Sequence, residues 1–331
     1  MGKIIRRIIL GIFLLLILAV AGAYLYVTKA LPKAGEVPEL SVELSKERIE
    51  RGRYLANNVY ACMSCHSEQH HDLFAHPVDV STLGKGGRLW DEKDGLPGRV
   101  YAPNLTPHHL GEWTDGEIFH AITAGISRDG RALFPLMPYP SYGKADQEDI
   151  LDIIAYLRSL EPIAYDVPVT ELSFPMSLIV NMIPKAPEFS QRPDPSDKVA
   201  FGRYLASVAS CNDCHTPMVK GRYDEARLYA GGNPFQLGNE SVVYSANITP
   251  HETGLKFWNE ELFLAAFRKY SDSSFRSVQV PPGDFNTVMP WNEYSAMSDE
   301  ELTAIWAYLQ TLTPVDNTVE RYAGLSAGIG E

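Results

Sequence analysis

Cys62-Met63-Ser64-Cys65-His66 and Cys211-Asn212-Asp213-Cys214-His215 are two copies of one string, and together they use all four cysteines of a 331-residue chain. On a single helical turn, Cys-x-x-Cys-His offers two thiols to the vinyl groups of a haem and sets the next imidazole against its iron. Each string is therefore expected to bind one covalent haem c, with Cys62 and Cys65, then Cys211 and Cys214, as attachment points and His66 and His215 as proximal iron ligands. Two other chemistries use paired cysteines. Zinc sites of this kind separate their pairs by about 15–20 residues, whereas Cys65 and Cys211 are far apart. A thioredoxin-like redox pair belongs beside a βαβ pattern, and the sequence offers none.

An iron bound by one histidine needs a second axial ligand for six-coordination, and Met137 and Met289 are the candidates. Each follows its histidine by about 70 residues, precedes a proline and stands eighteen residues ahead of a repeated Ala-Tyr-Leu. Met63 and Met218 lie too close to their strings to reach the opposite face, and Met297 lacks a counterpart in the first copy. Met176 and Met182 read as core gap-fillers. Histidine ligation by His251 and its counterpart His108 is the competing arrangement, although their neighbouring Asn-x-Thr-Pro turns suit loop capping better. His70, His71 and His76 read as a polar surface loop, with metal binding by the first two as a lesser alternative. Gly86-Gly87 and Gly231-Gly232 are expected to let backbone pass close to another segment.

These residues sit in an internal repeat. Gly52-Arg53-Tyr54-Leu55-Ala56 returns as Gly202-Arg203-Tyr204-Leu205-Ala206, Asn104-Leu105-Thr106-Pro107-His108 as Asn247-Ile248-Thr249-Pro250-His251, and Met137-Pro138 as Met289-Pro290. Apolar residues Ile150, Ile153, Ile154, Leu157 and Leu160, and later Leu302, Ile305, Trp306, Leu309 and Leu312, keep helical spacing. Asp146 and Ser298 stand where caps belong, and Ser298 with Glu301 completes a capping box. No sustained period-two alternation occurs, so the expected class is all-α: a transmembrane helix followed by two tandem small helical domains with long loops. The expected boundaries are an anchor at 1–28, a linker at 29–42, a first domain at 43–163, a strap at 164–195 and a second domain at 196–331. Phe174 to Ile183 makes the strap too apolar for solvent and too short to span a bilayer, so it is expected to pack across both domains. The second copy also carries extra polar sequence from Ser271 to Asn286, which suits either a docking loop beside Met289 or a surface insertion.

Lys3, Arg6 and Arg7 precede an uncharged run from Ile8 to Val27, about the length a helix needs to cross hydrocarbon. The positive flank would remain cytoplasmic and the rest of the chain would lie on the periplasmic side of a bacterial inner membrane. Ala19-Val20-Ala21 also resembles a signal-peptidase site, so cleavage is the competing reading. Without those three, 26 of the 29 basic residues face 41 acidic ones, in a chain of net charge −12. That balance argues against nucleic acid as a partner and fits a basic face on a redox protein.

Both halves resemble c-type cytochrome domains with His/Met ligation. The chain is similar to the cytochrome subunit of membrane-bound alcohol, aldehyde and gluconate dehydrogenases. The residues that carry the likeness are the Gly-Arg-Tyr-Leu-Ala strings, Tyr101 to Pro107 with Trp113-Thr114-Asp115, Leu133 to Tyr139, Leu172-Ser173-Phe174-Pro175 and Cys214-His215-Thr216-Pro217. The resemblance implies electron relay from a dehydrogenase towards quinone or an oxidase. That family usually carries three haem domains, so quinone reduction is not carried over to two. No nucleotide loop, triad or substrate constellation stands out, and no catalytic residue is assigned. The expectation is an electron carrier with two covalent haem c groups in a respiratory chain, partnered by a dehydrogenase, a quinol-oxidising complex or a terminal oxidase. The alternatives are a dihaem peroxidase, which needs one open iron position, and a haem-bearing subunit of a larger complex. Retention of the anchor predicts that peptides containing Ile4 occur in the mature membrane fraction by mass spectrometry; a chain beginning after Ala21 refutes it.

Overall fold

The computed structural model describes residues 2–219, 221–237, 241–276 and 278–323, apart from the side chains of Ser273 and Arg276. The end of the expected second domain, 324–331, and Ser277 within the extra polar stretch lie outside the described residues. Each repeat is framed by two crossing helices. Lys46–Tyr54 opens the first and packs on Gln147–Ser159, which closes it; Lys198–Val208 and Asp299–Leu309 do the same in the second. Side chains start all four: Ser45, Asp146, Asp197 and Ser298 each accept a backbone N–H of the first turn, removing donors a helix start leaves unpaired. The expected apolar stripes point inward, burying Ile150, Ile153, Ile154 and Leu157, and then Leu302, Ile305 and Leu309.

Glycine sets how closely the helices cross. A Cβ on Gly52 would stand 1.7 Å from the Asp152 carbonyl oxygen, and one on Gly202 would stand 1.8 Å from that of Ala304. Both obstacles are backbone, so no side-chain rotation relieves them. The first opening helix then runs into a π-helical turn at Leu55–Val59, whereas the second stays α-helical to Val208.

The repeats share one contiguous core, to which Leu55, Ile150 and Tyr142 contribute from the first and Leu205, Leu302 and Tyr294 from the second. Their contact is reciprocal. Tyr54 donates its hydroxyl to Glu301 and accepts the Ser298 N–H at 3.3 Å, at the start of the other repeat's closing helix. Tyr204 returns the arrangement, donating to Asp149 at 2.6 Å and accepting the Asp146 N–H at 3.1 Å. The Asp149 side chain is only 3% exposed and also meets Arg192 at 2.8 Å. Burial pushes its carboxyl pKa up, against the opposing pull of Tyr204 and Arg51.

The fold is helix-rich, but the expected all-α class needs amendment. Eight strands of two to four residues occur among the described residues, in three small antiparallel sheets. Leu89–Trp90, Gly98–Tyr101 and Glu171–Leu172 form one; Pro234–Gln236, Val242–Tyr244 and Tyr322–Ala323 form its counterpart. Strands this short show no alternation for a sequence pattern to reveal. The strap supplies Glu171–Leu172 and then binds the first repeat: Glu188 N–H donates to Gly143 O at 2.8 Å, Arg192 N–H to Asp146 Oδ2 at 2.8 Å, and Phe189 meets Phe119 at 5.4 Å. These contacts lie on one repeat, where packing across both was expected. Met182 is exposed and Met176 half-buried, so neither fills the core.

The extra polar stretch docks on the other repeat. Its Val280 N–H donates to Asp72 O at 2.8 Å, its Val278 O accepts Phe74 N–H at 2.9 Å, and Asn286 Oδ1 accepts Ala75 N–H at 2.8 Å. Ahead of the repeats, Gly2–Lys29 is one helix with no buried residue and the composition of a membrane span. The linker after it is held in place: Val42 N–H donates to Asp115 at 2.8 Å, and Gly116 lies against the Pro38 carbonyl.

Replacing Gly202 with Ala forces the second helix pair apart. A loss of about 3 kcal/mol is expected from overpacking of this kind, read as a lower midpoint in denaturant; an unchanged midpoint would show that the crossing tolerates a methyl group.

Candidate haem sites

Each Cys-x-x-Cys-His string forms its own one-turn helix, Cys62–His66 and Cys211–His215. The residue ahead of each is left-handed without being glycine, Ala61 at φ 47° and Ser210 at φ 56°. That conformation costs about 1 kcal/mol or more, and it swings the chain off the opening helix so that the first cysteine begins a new turn. The same deviation appears in both repeats, so it belongs to the design of the site.

The histidines are oriented identically. His66 Nδ1–H donates to Pro103 O at 2.8 Å, and His215 Nδ1–H donates to Ala246 O at 2.7 Å. A carbonyl can only accept, so each proton sits on Nδ1 and each lone pair on Nε2. Burial lowers both imidazole pKa values, with the carbonyl bond opposing, and keeps the rings neutral as metal ligands must be.

The accepting peptides are clamped. Gly86 N–H donates to His66 O at 2.8 Å and Gly231 N–H to His215 O at 2.7 Å. A Cβ at either glycine would strike the peptide that receives the imidazole, at 2.5 Å from Pro103 C and 2.3 Å from Ala246 C. These glycines adopt φ +70° and +72°, so they meet the expected close passage and also supply left-handed backbone. Next to them, Asn104 Oδ1 accepts Thr106 N–H at 2.8 Å, and Asn247 Oδ1 accepts Thr249 N–H at 3.0 Å. The Asn104 amide reaches Ile163 O and that of Asn247 reaches Val315 O, tying both loops to the chain beyond the closing helices.

The thiols of Cys62, Cys211 and Cys214 are pushed up to about 12, chiefly by desolvation. Cys214 also lies within electrostatic reach of Cys65. Tyr142 senses Cys62, Cys65 and Asp213, and Tyr294 senses Cys211, Cys214 and Tyr142. The two strings therefore lie near each other in the shared core, where the Tyr60 and Tyr204 hydroxyls meet at 3.4 Å, a proximity that about 145 intervening residues concealed. None of the four cysteines pairs in a disulfide. Among the described residues no three His, Cys, Asp or Glu side chains converge as a metal site.

Met137 and Met289 pack against the shared core as half-buried residues, as do Cys62 and Cys211. Their surroundings repeat: Met137 O accepts Tyr139 N–H at 2.8 Å and Met289 O accepts Trp291 N–H at 2.7 Å. His108 pairs instead with Asp166 at 3.2 Å, and His251 Nδ1 accepts the Thr253 N–H at 3.2 Å. His251 thus engages its own loop and His108 the start of the strap. His76 departs from the surface reading: it is buried, lies 5.0 Å from His71 ring to ring, and its pKa is lowered to about 4 by that burial. A cleft of about 1000 Å³ opens beside it, with Glu68, Arg88, Tyr165, Gln236 and Val288 on its walls. Sequence reasoning missed Tyr142 and Tyr294, although both recur five residues after the repeated methionines.

No family model matches the chain. It is 27% identical over 289 residues to the cytochrome c subunit of alcohol dehydrogenase (quinone) from Gluconacetobacter polyoxogenes, covering 83% of this chain and 58% of that one. The gluconate 2-dehydrogenase cytochrome c subunit of Pantoea cypripedii is 25% identical over 286 residues, covering 81% and 60%. A dihaem cytochrome c-type protein of Cereibacter sphaeroides is 27% identical over 321 residues, covering 94% of this chain and 99% of that protein. The chain is homologous to cytochrome c proteins. It spans about three-fifths of the dehydrogenase subunits it matches. Homologues of this kind imply covalently bound haem c, and the residues fit that group: cysteines at Cys-x-x-Cys spacing beside an imidazole whose Nε2 carries the lone pair.

Thr249→Val removes the hydroxyl that donates to Asn247 Oδ1 at 2.8 Å and accepts Val315 N–H at 3.2 Å. A loss of about 1–3 kcal/mol is expected, measured by denaturation of the haem-loaded protein. Unchanged stability would show that the clamp behind His215 does not depend on this hydroxyl.

Proposed function

We propose that this chain is a membrane-anchored electron-transfer cytochrome with two covalent c-type haems, held on the periplasmic side of the inner membrane in tandem cytochrome c domains at 43–163 and 196–331. It passes single electrons between a dehydrogenase or quinol-oxidising complex and a downstream acceptor, and it catalyses no bond change of its own. The observation that carries this reading is the duplicated attachment helix, in which His66 and His215 each present Nε2 while a fixed carbonyl holds Nδ1.

The chain's own residues would divide the work. Cys62 and Cys65, and Cys211 and Cys214, bind the cofactor covalently. His66 and His215, together with Met137 and Met289, would supply the ligands that hold its iron. The shared core excludes water from both sites. The neighbouring strings would bring the two haems together, and Gly2–Lys29 would hold them at the membrane. Bound haem supplies reversible one-electron exchange, and His/Met ligation favours a raised potential. The peroxidase alternative needs asymmetric iron sites, whereas both repeats place methionine in matching surroundings.

The denatured chain is expected to exceed its sequence mass by two haems, and Cys211→Ser with Cys214→Ser to retain one. Met137→Ala and Met289→Ala should each remove part of the near-infrared charge-transfer band of methionine-ligated ferric haem. An unchanged band in both variants eliminates the methionines, and peroxide turnover with one high-spin haem eliminates the carrier. Subunits that co-purify from native membranes would identify donor and acceptor.

A further inference from the structure

We propose that the strap turn from Phe174 to Met182 is a second membrane contact, lying on the lipid surface that the N-terminal helix enters. The proposal rests on that helix crossing the bilayer. Phe174 is 81% exposed, Met182 53% and Ile179 37%, while Val180 between them is 5% exposed. One side of the turn is thus fixed to the protein and the other presents large apolar groups outward.

What covers that outer side follows from the turn's neighbour. The N-terminal helix is exposed from Gly2 to Tyr26, and only near its end do Val27 and Thr28 become half-buried. The helix touches Val180–Met182. Its uncharged run ends at Val27, with Lys29 and Lys33 exposed just beyond, as at a hydrocarbon boundary. Contact with that end sets the turn at the same depth. Its backbone suits the location: Ser177, Leu178, Ile179 and Ile183 N–H groups all donate to nearby carbonyls, as insertion among acyl chains requires.

Charge points the same way. In a chain of net charge −12, residues 172–187 contain no acid and one base, exposed Lys185. A short apolar turn followed by Lys185, touching a helix that ends at Lys29, suits the boundary between phosphate headgroups and acyl chains. It is too short to span. With the linker packed along Asp115–Ala124, a second contact would hold the haem-bearing part at one angle to the membrane.

The test uses the full haem-loaded chain in nanodiscs of phosphatidylcholine and phosphatidylglycerol containing a phospholipid with a diazirine high on its acyl chain. After irradiation, adducts are mapped by mass spectrometry. Adducts are expected on the N-terminal helix and on the peptide containing 174–182, and a Phe174→Ser, Met182→Ser double variant should lose the strap adduct several-fold while keeping the first. Adducts on the helix alone overturn the second contact and leave the anchor standing; adducts on neither overturn both. Equal labelling of the exposed apolar group Phe257, Trp258 and Leu262, far along the chain in the second repeat, would mark the strap signal as indiscriminate and also overturn the proposal.

Discussion

Where the opening and closing helices cross, a backbone carbonyl of one occupies the space beside an α-carbon of the other, and only hydrogen at Gly52 or Gly202 leaves room for it. The remaining geometry hangs on that approach. The opening helix leads within a few residues to the left-handed Ala61 or Ser210 and so to the attachment turn. From the closing helix the chain runs on to Ile163 or Val315, which the loop behind His66 or His215 grips. A wider crossing would draw the carbonyl away from Nδ1 and leave a buried imidazole polar group unpaired, a penalty larger than the bond itself contributes.

Much of this was legible because the sequence states it twice. The attachment strings, the helix stripes and the capping box at Ser298 are local signals, and each lies on the element its spacing predicted. Repetition also set Asn104 beside Asn247 and Gly86 beside Gly231 before any contact was known. Their use was not legible, since nothing in Asn-x-Thr-Pro says that the amide holds the chain beyond a distant helix.

Where the structure goes beyond local composition, long-range packing is the cause. Ser271 to Asn286 is polar enough for a free loop, yet its backbone pairs with residues 72–75 of the other repeat. His76 reads as surface beside His70 and His71, but burial claims it. The strap's apolar residues suggest packing across both repeats, whereas hydrogen bonds from Glu188, Ser190 and Arg192 tie its later part to the first repeat and leave Phe174 outside. Strands of two to four residues are invisible to periodicity because partners elsewhere in the chain define them.

The reciprocal tyrosines bear on how such a duplicated chain can change. Tyr54 completes the start of a helix about 245 residues away, and Tyr204 does the same in the opposite direction. Neither half contains the partner of its own hydroxyl. A substitution at Glu301 is therefore felt in the first copy and one at Asp149 in the second, so the copies drift as a coupled pair. Positions 54 with 301, and 204 with 149, are where a change in one half calls for an answer in the other.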